Sequence, residues 1–213
     1  MCGAKLQRTQ VLSTSESRLC QGDILRDVDW VEYVAETSGI IEVSRVVFPL
    51  AIVLTQDCDL EQDHLFRTES RPTQDKRLIS VLMAPLYNVE HVYQGEHLSE
   101  LGILMEKVPK TGNTGNFLRN NERPRYHYLE FEEDVPIVAS VIDFKHYFSA
   151  TVDYLMKLKP TLYLCSVAPL FREDIAQRFA CYLSRVGLPD LAARSSQARE
   201  AECDNAMGVP GSL

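Results

Sequence analysis

The chain has 213 residues, 45% of them hydrophobic and 24% charged, and a formal net charge of −8. That composition belongs to an ordinary globular protein with enough chain for one full hydrophobic core. The acidic balance speaks against a broad coat on nucleic acid, which needs concentrated Lys and Arg, and no apolar run approaches the ~18–20 residues of a membrane span.

Residues 1–20 are polar and aperiodic and are expected to form a flexible arm without the apolar centre of a secretory signal. A single domain is expected over 21–189, with a long loop region at about 88–130 and a flexible tail over 190–213. Val28 to Val34 is rich in β-formers, and Thr37-Ser38-Gly39 is a turn signal. Val46 to Leu60 follows, an apolar run closed abruptly by Thr55, Gln56, Asp57, Cys58 and Asp59. It reads as a buried strand carrying functional groups to its exit loop, with Pro49 at a sheet edge or bulge. Glu61 to Lys76 reads as a charged surface loop and Leu78 to Leu86 as a second buried strand. Tyr87 to Glu100 is expected on the surface.

Leu101 to Val108 suits a helical turn or a strand. The glycines and asparagines of 109–121 mark a long loop. Pro136 to Ile142 and Thr161 to Val167 read as further buried strands. A terminal helix runs from Pro169 to Gly187, with Phe171, Ile175, Phe179, Tyr182, Leu183 and Val186 on its packed face. The fold class is therefore mainly β with a C-terminal helix (α+β). The six cysteines, at 2, 20, 58, 165, 181 and 203, contain no Cys-x-x-Cys pair and read as free thiols in a reducing cytoplasm.

Gly22-Asp23-Ile24, Pro49 to Thr55, Leu78 to Pro85, Val141-Ile142-Asp143 with Lys145-His146, and the closing helix together resemble the PemK/MazF-like toxin group. The resemblance implies that this domain is an SH3-like barrel with the loop region 88–130 as an insertion. It implies a cytoplasmic, metal-independent endoribonuclease of a toxin–antitoxin or phage-defence system. It also implies an antitoxin or other protein partner and a homodimer, with Thr55 at the family's hydroxyl position. Three features depart from the pattern. No arginine precedes Pro49, Tyr87 stands where Thr or Ser is expected, and about forty residues are inserted.

Three constellations carry candidate chemistry. In the first, Asp57 and Asp59 flank Cys58, and with Asp143 they suit a divalent cation, magnesium or manganese, in a metal-dependent nuclease that also uses Lys145. A turn-capping Asp57 and an arginine-paired Asp59 are the plain alternative, and Cys58 as a nucleophile needs a neighbouring base or cation. The second is Asp143-Phe144-Lys145-His146, an Asp-x-Lys pair on one strand face. The third is the basic and aromatic segment Arg119, Arg123, Arg125, Tyr126, His127 and Tyr128, with Lys107 and Lys110 upstream. Arginines among aromatic faces suit RNA or single-stranded nucleic acid, unless Glu130 to Asp134 satisfy them internally.

In the metal-free reading, which needs no cofactor, Arg125 holds phosphate and His127 or His146 moves protons. Thr55, Asp57 and Asp143 position the ribose hydroxyl and these groups, and Lys145 is a further catalytic candidate. A non-catalytic interaction module on the same fold is the third alternative.

Overall fold

A computed structural model describes residues 8–13, 15–70, 72–110 and 117–185. Eight strands are present among the described residues: β1 (Val11–Leu12), β2 (Asp23–Thr37), β3 (Ile40–Val53), β4 (Ser80–Asn88), β5 (Tyr126–Leu129), β6 (Ser140–Asp143), β7 (Phe148–Thr151) and β8 (Tyr163–Val167). They form one antiparallel sheet in the order β1-β8-β2-β3-β4-β6-β5, with β7 also paired to β4. A bridge between Thr9 and Phe131 links the two ends of that path. Among the described residues the helices include α1 (Asp57–Thr68), α2 (Val89–Gln94), α3 (Val152–Leu162) and α4 (Pro169–Leu183). The chain is thus mainly β with a helix near its C-terminus. These elements all lie in the compact unit Met1–Leu183.

The unbroken apolar run is unbroken because the sheet is covered on both faces. Alternate residues of one strand enter different cores. Ile24, Ile52 and Ala84 pack with Ile142, Phe144, Ile175 and Phe179 under α4. Leu25, Ala51, Val53 and Met83 pack with Phe148, Val152 and Leu155 under α3. A third cluster joins Val89, Val92 and Tyr93 of α2 to Tyr87, Tyr126, Tyr128 and Val141. Pro49 falls in a gap of the β2–β3 register opposite Asp27, which has φ +53, so the missing N–H costs no ladder bond. Ser38 and Gly39, at φ +53 and +80, make the two-residue turn expected at 37–39.

Several expectations give way to tertiary contacts. From Arg8 onward the expected arm is built into the fold. Val11 and Leu12 pair with β8, Leu19 and Cys20 are buried, and Arg18 clamps Asp57. Residues 1–7 and the expected tail 190–213 lie outside the described residues.

The charged stretch 61–76 is helix α1 as far as Thr68, with Asp57 and Asp59 in its first turn, where the helix dipole favours them. Leu60 is its one buried apolar residue, so no helical stripe shows in the sequence. Within 87–100, Tyr87 and Asn88 are the last residues of β4, and α2 buries Val89, Val92 and Tyr93. Residues 152–162 form helix α3, so the strand expected from Thr161 begins only at Tyr163. The strand expected over 136–142 is paired only from Ser140. Among the described residues Cys20 and Cys165 are buried and Cys58 and Cys181 exposed, and none of the four is in a disulfide. No helix of the described residues is long and apolar enough to cross a membrane.

Candidate functional site

The site forms where β6 ends. Asp143 is the last strand residue, and its carboxylate accepts the Lys145 amide at 3.0 Å, closing a tight 3-10 turn over Phe144–His146. That turn folds His146 back, so its Nδ1 lies 3.5 Å from Asp143 Oδ2. On the neighbouring strand Tyr126 is opposite Asp143, which sets Arg125 at the same end. Its guanidinium donates from Nε to Oδ1 at 2.8 Å and from Nη2 to Oδ2 at 2.5 Å. On the other side, β4 places Tyr87 opposite Val141, with Tyr87 Oη 3.2 Å from His146 Nδ1.

His97 completes the cluster, its ring 4.9 Å from Tyr87 and 6.3 Å from His146. It is brought in by the stop at the end of α2. Gly95 adopts φ +73, and a Cβ there would lie 2.2 Å from the Met105 carbonyl oxygen. Only glycine fits that approach. A cavity of about 310 Å³ opens beside Tyr87 and His97, walled by Phe48, Pro49, Leu86 and Leu98.

The electrostatics follow from partial burial. Asp143 is 1% exposed, against 27% for Arg125 and 19% for His146. The hydrogen bond to Asp143 raises the Arg125 pKa despite the burial that opposes it. Burial, with help from Arg125 and Lys145, lowers His146 below its ordinary value although Asp143 opposes this. Burial also lowers His97, and both ring nitrogens of His97 are shielded from water with no hydrogen-bond partner. Burial raises the Tyr87 phenol, which stays a proton donor at neutral pH. The result is a fixed cation beside two neutral imidazoles and a phenol.

Comparison with protein-family models, curated proteins and solved structures finds no match.

Of the sequence-predicted residues, Arg125, Asp143, Lys145 and His146 are brought together. The Asp-x-Lys spacing does not act as strand alternation, because 144–146 is a turn; Phe144 is buried and Lys145 is exposed. Thr55 accepts the Leu82 amide at 2.7 Å and serves to join β3 to β4. Asp57 is clamped by Arg18 through two bonds of 3.1 Å, by the Gln21 amide, and by Arg172 at 3.4 Å. Burial alone would raise its carboxyl, but these partners hold it below the usual carboxylate range.

Asp57 thus belongs to Arg172 in the first turn of α4, whereas the Asp143 turn packs on Phe179, about two helical turns or roughly 10 Å further along. Cys58 and Asp59 are exposed on α1. The magnesium or manganese set Asp57, Asp59 and Asp143 is therefore not assembled.

His97, Asp143 and His146 do place one donor atom each within 4.8 Å of one another. Two imidazoles suit zinc, copper or iron better than magnesium or manganese. Both Asp143 oxygens, however, are already bonded to Arg125, and one also to the Lys145 amide, so a cation there would face a guanidinium. The donor chemistry favours an anion and acid–base site.

The basic and aromatic segment is mostly consumed internally. Tyr126 and Tyr128 are buried, and Tyr128 donates to Glu130 at 3.0 Å. Arg123 lies 3.9 Å over the Phe117 ring, Arg119 stands beside Tyr128 and Tyr93, and Lys110 pairs with Glu90. These tyrosine faces are core surface, so stacking on Tyr126 and Tyr128 is replaced by packing.

His127 is 3% exposed, and its Nδ1 has no partner. Burial, reinforced by Arg178, pushes its pKa down to about 3, which removes it from proton transfer at neutral pH. A ring neutral in the fold but titrating near 6.5 when unfolded binds its proton first in the unfolded chain. Stability should therefore be complete above about pH 6.5 and fall progressively toward pH 3. Urea unfolding at pH 7 and at pH 4.5 checks this, since His127→Leu should lose less stability on acidification than the unaltered chain.

Tyr87 and His97 were not singled out as site residues from the sequence. Only the β4–β6 register and the α2 stop bring them to Asp143.

Proposed function

We propose that the chain binds RNA and cleaves it without a metal at the cluster of Arg125, Asp143, Lys145, His146, Tyr87 and His97. The observation that carries the reading is the buried Asp143 holding both Arg125 and the His146 turn at an accessible strand end. Arg125 and the exposed Lys145 supply charge for a phosphodiester. With its proton on Nδ1, facing Asp143 and Tyr87, His146 keeps Nε2 as the base.

In the proposed step, Nε2 takes the proton of the ribose 2′-hydroxyl, the 2′-oxygen–phosphorus bond forms and the bond to the 5′-oxygen breaks. Water supplies the proton for the leaving 5′-oxygen. The same reading takes the curled sheet as a PemK/MazF-like, SH3-like barrel carrying the inserted segment 88–130, acting in the cytoplasm with an antitoxin-type partner. Thr55, Asp57 and His127 lie outside this centre and support the fold.

The test is cleavage of a mixed-sequence RNA oligonucleotide in EDTA. Cleavage should persist without divalent ions and fall about a hundredfold or more in His146→Ala, with RNA affinity largely kept. Because the His146 pKa is lowered, the acid limb of the rate profile should lie below pH 6.5. Cleavage unchanged by His146→Ala removes the assignment, and RNA binding without cleavage leaves an interaction module on the same fold.

A further inference from the structure

The cavity of about 310 Å³ beside Tyr87 is at the small end of ligand sites, a size that takes one flat ring system. Its floor is apolar and buried, built from Phe48 of β3, Leu86 of β4 and Leu98. Val47 and Val138 stand exposed at its rim. A further wall comes from the chain between His91 of α2 and the 3-10 turn Ser99–Leu101. That wall lies in the segment 88–130, outside the stretches that resemble the toxin group. Tyr87 belongs to both places: it lines the cavity, and its Oη lies 3.2 Å from His146 Nδ1.

The polar groups that line the cavity have a definite sense. Asn88 caps α2, and its Oδ1 accepts the Glu90 amide at 2.9 Å, so its NH2 group is left as a donor. Glu96 and Glu100 supply carboxylates, which only accept, and neither has an ion pair or a side-chain hydrogen bond among the described residues. Ser140 spends its hydroxyl on the Val138 carbonyl at 2.7 Å, and both His97 nitrogens are shielded. His91 and Ser99 donate or accept as a ligand requires, so the bias is set by Asn88 and the two carboxylates.

We propose that this cavity is a guanine subsite. On its Watson–Crick edge guanine carries two neighbouring donors, N1–H and the 2-amino group, beside one acceptor, O6. The two donors meet a carboxylate as a bidentate pair, and the Asn88 NH2 group donates to O6. The other bases fail at the carboxylate. Uracil flanks its one N–H with carbonyls, and adenine and cytosine set a ring-nitrogen lone pair beside the amino group. In each case a carboxylate oxygen faces an acceptor, which costs affinity. Phe48 and Leu98 take the faces of the ring, while the carboxylates repel phosphate and leave it to Arg125 and Lys145 beyond Tyr87. The subsite rests on the reading of that cluster as an RNA centre, with the base next to the held phosphodiester entering the cavity.

Equilibrium dialysis of guanosine, adenosine, cytidine and uridine against the full chain tests the subsite without requiring cleavage. Guanosine should bind at least tenfold more tightly than the other three. The double variant Glu96→Gln with Glu100→Gln changes two exposed residues outside the catalytic cluster. It should lower guanosine affinity at least tenfold and remove the preference. Mapping the products of a mixed-sequence RNA in EDTA then separates the two sources of the base. Cuts beside guanosine that spread to other bases in the double variant assign the subsite to RNA. Guanosine binding without any RNA cleavage keeps the subsite for a free guanine nucleotide and removes the cleavage reading instead. No guanosine binding, four nucleosides bound alike, or an affinity indifferent to the double variant overturns the proposal, even where RNA is cleaved.

Discussion

Arg125→Ala should lower the unfolding free energy by about 3–5 kcal/mol and abolish phosphodiester binding at the site. The size follows from asymmetry. Asp143 is 1% exposed, and three of its contacts come from the Arg125 guanidinium, so the variant leaves a carboxylate out of water with only the Lys145 amide and His146 nearby. A buried charge stripped of its partner costs more than the pair itself contributed.

The corresponding double variant, Arg125→Ala with Asp143→Ala, should therefore be less destabilised than the single one, because no uncompensated charge remains. Urea unfolding of both, with RNA binding followed in parallel, checks the argument. A double variant as unstable as the sum of two singles would show that the two groups act independently.

Lys159→Met should cost a similar ~3–5 kcal/mol and lower the melting temperature by roughly 10 °C. Lys159 is 5% exposed and pairs at 2.7 Å with Asp23, which is fully buried. It also donates to the Arg18 carbonyl, which steadies the segment that clamps Asp57. Asp23 keeps only Ser166 and the Cys20 amide once the ammonium is gone. Methionine preserves the aliphatic stem, so the loss reports the charge and not a cavity. Calorimetric melting of the full chain is the measurement, and a shift of a degree or less would place the pair among those with no net contribution.

Both pairs show how unevenly the chain was legible. Asp143 and Arg125 stand out as charges, but their union depends on the β5–β6 register, across an eighteen-residue separation. Lys159 and Asp23 are separated by 136 residues. Nothing local distinguishes a lysine about to be buried from one facing water. Thr55, Asp57 and His127 looked chemical because polar residues at strand ends often are. Here a strand junction, an arginine clamp and a core seat use them instead.

The strands at 46–54 and 78–86, the hairpin turn at Ser38-Gly39 and the helix from Pro169 were readable in the chain itself. Each rests on a local cause: an apolar run, a left-handed pair of turn residues, a proline in the first turn. Helix α1, the small helix holding His97 near Tyr87, and the sorting of polar groups between core and cleft were settled by packing. Those choices turn on which partner a charge or ring meets across the sheet. Such meetings depend on register and burial between distant segments, which no short window of residues encodes.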